Sequence, residues 1–144
     1  QDMDSILLSI RCAGFLTQRF LDRAQAKGLL DNTVVVILSD HLAHRNTQFK
    51  KMRSMERQDL AMILGTNKPN GVMKVNGAMV DMYPTIFEAL GYDLPKGQAG
   101  IGVSLFSGEP TLLEQLGPKK IDKVILRDKA LRSKVWNVEQ ANTP

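Results

Sequence analysis

The residues best suited to chemistry are Asp40 and His41, on which, with Ser39, the aliphatic run within "TVVVILSDHLAHRN" (positions 33 to 46) ends. Asp40 offers hard anionic oxygens and His41 a neutral nitrogen, a combination that suits manganese, zinc or iron. Consecutive side chains on an extended strand point to opposite faces, so both can reach one ion only if the backbone turns at this dipeptide. The following "HLAHRN" offers the residues for such a turn. The competing reading is an Asp that caps a turn beside an exposed His.

The pair is carried by the elements around it in the sequence. Residues 4 to 27 place Ile6, Ile10, Ala13, Leu16, Phe20 and Ala24 along one stripe, which predicts an amphipathic helix that ends at Gly28. Cys12 falls on its apolar side and reads as a small buried hydrophobe. The run "VVVILS" is apolar at almost every position, as expected of a strand covered on both faces. A second apolar run, "LAMILG", ends at Gly65, and a weak strand is expected around Val72 to Val75. The block "VDMYPTIFEALG" then predicts a helix capped by Asp81, with Pro84 in its first turn and Gly91 as its stop. Helix, buried strand, strand, helix is the alternation of an α/β protein, a layered sheet with flanking helices. In such sheets ligands gather beyond the carboxyl ends of strands, which is where Asp40 and His41 lie. The glycine-rich "KGQAGIGVSLFSG" is expected as a loop and "TLLEQLG" as a helix.

Composition narrows the class. The chain has 144 residues, 43% of them hydrophobic, enough for one ordinary domain with its own core. No window approaches the roughly 18 uninterrupted apolar residues of a membrane helix, and the first residues lack the pattern of a secretory signal. Its start within a helical pattern suggests a fragment. A single cysteine excludes an intramolecular disulfide. The net charge of +4 is uneven: residues 119 to 134 hold seven Lys or Arg against two Asp, which leaves about −1 for the remainder. Ile121, Val124, Ile125 and Leu131 recur there near helical spacing, which favours a basic helix docked by one side. Such a helix could attract anionic lipid or nucleic acid, but no aromatic residues are interleaved for base stacking, so a solvated face is the simpler reading and no nucleic acid partner is expected. The expected division is therefore 1–118 as a catalytic-domain portion and 119–144 as a basic helix and tail.

The block "TVVVILSDH" resembles the strand and metal-binding Asp-His pair of the sulfatase and alkaline-phosphatase superfamily. The later "VDMYPTIFEALGYDLP" is similar to the Asp-x-x-Pro-Thr helix that follows it there. Within the superfamily, "SDHLAHRN", "IRCAGFLTQRFLDR" and "GIGVSLFSG" resemble the phosphoglycerol transferase group that decorates periplasmic glucans. The resemblance covers about residues 4 to 108. It implies the C-terminal part of an alkaline-phosphatase-like sulfatase fold, with Asp40 and His41 as ligands of a divalent metal, manganese in the first place and magnesium or zinc as alternatives. It also implies substrate contacts from the residues just past the ligands, His44, Arg45 and Asn46, of which Arg45 has the planar fork that pairs with phosphate. The expected activity of the longer protein is transfer of glycerol phosphate from a phosphatidylglycerol-type donor to a glucan acceptor, on the periplasmic side of a bacterial inner membrane. The family's nucleophile, an acidic metal ligand and a substrate-binding His belong to upstream segments that have no match here. No catalytic residue is thus expected in this chain, which is expected to be inactive alone, to need the remaining segments of the domain as partners, and to meet the membrane only through the longer protein. The alternatives are a sulfatase or phosphodiesterase on the same fold, and a non-catalytic module that binds anionic lipid or nucleic acid through the basic helix.

Overall fold

Asp4 opens the first helix, α1 (Ser5–Ala26), by accepting the Ile6 N–H on its carboxylate at 3.0 Å. This supplies one of the partners that a helix N-terminus lacks. The helix stops as the sequence predicts. Gly28 takes φ +70°, its N–H reaches the Gln25 carbonyl at 2.9 Å, and the Leu29 N–H reaches Ala24 at 3.0 Å. That pair of bonds is the Schellman motif, which needs a residue free to adopt a left-handed conformation. The computed structural model describes residues 4–130 and 133. The chain divides into two compact units, Gln1–Asn67 and Lys68–Pro144.

In the first unit, β1 (Val35–Leu38) pairs antiparallel with β2 (Ala61–Leu64), with Val35 opposite Leu64 and Leu38 opposite Ala61. The short helix α2 (Phe49–Arg53) lies between them in sequence. Three sequence expectations change here. Val35, Val36 and Ile37 are half-buried rather than enclosed on both faces, because β1 has a single neighbouring strand among the described residues. The apolar stripe of α1 is largely exposed: of its members only Ala24 is buried, and Phe20 is 67% exposed. Cys12, expected inside, is exposed as well.

The second unit is built on α3 (Met79–Ala89), which ends at Gly91 through a bond from the Tyr92 N–H to the Phe87 carbonyl at 3.0 Å. It starts three residues earlier than the sequence suggests, so Asp81 is the third helical residue rather than the cap. Pro84 is correspondingly inside the helix and not in its first turn. A proline there has no N–H for the Val80 carbonyl one turn back. Gly102 lies against that carbonyl, and a Cβ at this position would overlap the Val80 oxygen.

The segment expected as a loop carries a 3₁₀ turn, Pro95–Gly97, and a minimal hairpin of β3 (Gln98–Ala99) and β4 (Gly102–Val103). The strand expected around Val72 to Val75 is irregular, and Val72 is 92% exposed. The sheet structure of the described residues is therefore two separate two-stranded antiparallel ladders.

Helix α4 (Leu112–Leu116) begins with a capping box. The Thr111 hydroxyl accepts the Glu114 N–H, and the Glu114 carboxylate accepts the Thr111 N–H, each at 3.2 Å. The basic helix is α5 (Pro118–Arg127), with Ile121 buried and Lys119, Lys120, Lys123 and Arg127 exposed. The side chains of Val124 and Ile125, the whole of Leu131 and the final tail lie outside the described residues. The core of this unit contains Met82, Ala89, Val103 and Ile121. No helix among the described residues is long and apolar enough to cross a membrane.

Candidate metal centre

Ser39 marks the point where the β1–β2 ladder stops. Its N–H donates to the Leu60 carbonyl at 2.9 Å, and its hydroxyl accepts the Leu60 N–H at 3.0 Å. With both ends of Leu60 fixed by one residue, the strand is held up to its last position. Beyond it the backbone bends at Asp40 and His41. The geometric condition posed by the sequence is thereby met: His41 Nε2 and Asp40 Oδ2 lie 3.6 Å apart. Both side chains face solvent, His41 at 53% and Asp40 at 88% exposure.

The other ring nitrogen of His41, Nδ1, sits 2.8 Å from the Leu42 carbonyl oxygen. A carbonyl only accepts, so this contact is a hydrogen bond in the tautomer that carries its proton on Nδ1, and in that tautomer the Nε2 lone pair is on the side of the Asp40 carboxylate. Metal-ligating histidines commonly show this arrangement, in which a backbone carbonyl holds one nitrogen and the other is free to coordinate. Asp40 and His41 therefore fit as two adjacent donors, one oxygen and one nitrogen, for manganese, magnesium or zinc. Among the described residues no group of three or more His, Cys, Asp or Glu gathers to complete a site.

The residues just past the pair fall into different roles. The His44 ring lies 4.4 Å from that of His41, centroid to centroid, at an interplanar angle of 40°. Arg45 is exposed, with its guanidinium 5.7 Å from the centre of the Phe49 ring. Asn46 spends its amide on the backbone, donating to the His44 carbonyl and accepting the Gln48 N–H, both at 2.9 Å. That is an Asn holding its own turn at the entry to α2.

Two groups that sequence reasoning did not single out as partners of this loop support it. The Arg57 guanidinium donates to the Ala43 carbonyl at 2.6 Å. Asp4, besides capping α1, accepts the Thr47 hydroxyl and the Gln48 side-chain amide, both at 2.9 Å. The Thr47 bond above all, then that from Gln48, holds the Asp4 carboxyl below its ordinary value. The N-cap role of Asp4 is legible from an acidic residue before an apolar helix. Its long-range partners have no sequence signal.

The second motif, Asp81-x-x-Pro84-Thr85, has a different function in the fold. Asp81 is fully buried; one oxygen accepts the Ala78 N–H and the other the Val103 N–H, each at 2.8 Å. Thr85, also fully buried, donates to the Asp81 carbonyl at 2.6 Å and accepts the Leu105 N–H at 2.9 Å. Ser104 donates its hydroxyl to Glu88. Asp81, Thr85 and Glu88 are spaced i, i+4, i+7, so one polar stripe of α3 binds the consecutive residues Val103, Ser104 and Leu105. That spacing within an otherwise apolar helix is the signal that would have identified the clamp.

Comparison with known proteins gives the family of the chain. A family model described as Sulfatase matches residues 1–92. Over 102 residues, 70% of this chain, the sequence is 31% identical to phosphoglycerol transferase I of Salmonella arizonae, 30% to that of Escherichia fergusonii and 29% to that of Citrobacter koseri. The matched segment is 13% of each relative's length, so the chain spans a small part of these proteins. No solved structure matches it. The family match implies an alkaline-phosphatase-like α/β fold, and with the match spanning both the Asp-His block and, later in the sequence, the Pro-Thr helix, the chain belongs to the sulfatase family.

Proposed function

We propose that this chain contributes Asp40 and His41 to the divalent-metal site of a phosphoglycerol transferase. The single observation that carries the proposal is the 3.6 Å approach of Asp40 Oδ2 and His41 Nε2, with Nδ1 already engaged by a carbonyl. The transferase names of the relatives support the reaction class. In this reading manganese is the resident ion, with magnesium or zinc as substitutes, and the nucleophile and remaining ligands come from other segments of the catalytic domain. Those segments also cover the apolar faces of β1 and α1 and complete a layered sheet.

The bound cation would acidify a hydroxyl nucleophile and neutralise charge on the transferred phosphoryl group. Around it the chain's own side chains hold and orient. Asp40 brings negative charge, and His41 presents a lone pair fixed by its Leu42 contact. Arg45, exposed and four residues past His41 in sequence, supplies a planar donor fork for a phosphate oxygen. His44 packs on His41, and Asn46 keeps the turn that carries them. The donor is a phosphatidylglycerol-type lipid and the acceptor a glucan, on the periplasmic side of a bacterial inner membrane.

Calorimetric titration with manganese tests this directly, with a polypeptide carrying the whole catalytic domain beside the 144-residue chain. Tight binding by the longer protein, lost on Asp40→Ala, is expected. Equal binding by the Asp40→Ala protein would remove the proposal. The match to a sulfatase model favours one second reading, a hydrolase that passes the group to water. Product analysis decides between them: glycerol phosphate attached to glucan supports transfer, and free glycerol phosphate regardless of added glucan supports hydrolysis.

A further inference from the structure

We infer that Arg57 is a positioning residue for His41, acting through the backbone of the loop between them. Its guanidinium donates to the Ala43 carbonyl at 2.6 Å across fourteen residues of sequence, and the side chain is half-buried. A charge-assisted bond of that length is among the stronger kinds available to a loop. The adjacent carbonyl, that of Leu42, is the one that holds His41 Nδ1 at 2.8 Å. Consecutive peptide planes share a Cα, so fixing the Ala43 carbonyl restricts the direction in which the Leu42 carbonyl points. The direction of that carbonyl decides which imidazole nitrogen carries the proton. Arg57 therefore keeps the Nε2 lone pair of His41 turned to Asp40.

Three other features brace the same loop and show what Arg57 adds. Ser39 fixes its start through Leu60, and Asp4 fixes its end through Thr47 and Gln48. The His44 ring leans on that of His41 at 4.4 Å. The Arg57 bond lands between the two histidines, on the peptide next to the one that contacts His41. A guanidinium spent on a backbone carbonyl in this way acts on geometry, which separates its role from that of the exposed Arg45.

The consequence for metal binding rests on the reading of Asp40 and His41 as ligands, whereas the effect on the imidazole does not. Long-range ¹H–¹⁵N correlation spectra of the full chain in alkaline buffer read the His41 tautomer without any metal. The wild-type protein is expected to show a protonated Nδ1 and an unprotonated Nε2; the opposite tautomer overturns the inference. Arg57→Met is expected to shift His41 toward the Nε2–H form, and Arg57→Lys, which keeps a cationic donor, to restore it. A folded Arg57→Met protein with an unchanged tautomer overturns the inference. Should Arg57→Met fail to fold, Arg57→Lys decides: the Nδ1–H form retained supports the inference, and lost in a folded protein overturns it. In parallel, manganese titration of the longer catalytic domain is expected to show about 10–100-fold weaker binding for Arg57→Met, the range for groups that orient a ligand. If manganese binds neither wild type nor variant while the tautomer moves as expected, the metal reading falls and the positioning role stands.

Discussion

The buried Asp81 carboxylate and the Val103 backbone N–H, twenty-two residues apart in sequence, meet at 2.8 Å and tie the start of α3 to β4. The second Asp81 oxygen takes the Ala78 N–H at the same distance, so a single side chain satisfies a helix N-terminus and a strand. Removing it strands two N–H groups, each worth about 1–3 kcal/mol when left unpaired away from water. Asp81→Ala is expected to lower stability by about 3 kcal/mol in urea unfolding, and Asp81→Asn by less, since its amide keeps one accepting oxygen. Activity lost in either variant with stability unchanged would contradict this account.

Thr85 offers a cleaner substitution because valine has nearly its shape. Thr85→Val removes the acceptor for the Leu105 N–H and the donor to the Asp81 carbonyl while filling the same volume. A loss of about 1–3 kcal/mol is expected, and Thr85→Ser should recover most of it. Hydrogen exchange at the Leu105 amide is the local readout, and it should accelerate in Thr85→Val ahead of global unfolding.

Gly102 is required for space. Its Cα lies against the Val80 carbonyl, the one that Pro84 leaves without its usual partner, and a methyl group there overlaps the oxygen. Gly102→Ala must push β4 away from α3, stretching the bonds from Asp81 and Thr85 together. A loss of about 1–3 kcal/mol is expected from overpacking. If instead Pro84→Ala is combined with it and stability is regained in full, the proline rather than the close approach sets the constraint.

Acid should release the end of the loop that follows the Asp-His pair before it unfolds the chain. Hydrogen bonds from Thr47 and Gln48 hold the Asp4 carboxyl below its ordinary value. A group with a depressed folded pKa contributes stability above the unfolded value, about 3.9 for Asp, and the contribution is lost as the pH falls through the lower folded value. The Thr47 and Gln48 resonances are therefore expected to stay unchanged from neutrality down to about pH 4 and to shift below it. In Asp4→Asn that acid transition should vanish, because the amide has no proton to gain in this range.

The sequence reveals some of these relationships and conceals others for physical reasons. The ends of α1, the strand before Asp40 and the stop of α3 at Gly91 follow from local chemistry, the capping Asp4, the apolar run and the glycines, which act over a few residues. The bend that brings Asp40 and His41 together is a condition the sequence sets, and the backbone turns there just past Ser39, where the ladder stops. The sequence places the start of α3 too late because an Asp before an apolar run reads as a cap, whereas in the structure Asp81 sits at the third helical position and reaches back. The contacts of Arg57, Asp4 and Glu88 span 14 to 44 residues and depend on folding, so no local pattern announces them.

The Asp-His pair makes the most direct demand on experiment. Its two donors differ in kind, so they should fail differently. His41→Gln replaces an imidazole nitrogen with a weakly basic amide and should weaken manganese binding in the longer catalytic domain by about 100-fold or more, beyond the loss typical of outer groups. Asp40→Asn keeps an oxygen in place but removes its charge, which a hard divalent cation needs most. It should therefore cost as much for manganese or magnesium, while zinc, which takes nitrogen readily, should suffer more from His41→Gln than from Asp40→Asn. Neither variant is expected to change the unfolding midpoint of the metal-free protein, because both side chains face solvent and neither closes a buried hydrogen bond. A large fall in that midpoint would instead mark the pair as a turn cap, the reading that competes with a metal site from the first residues onward.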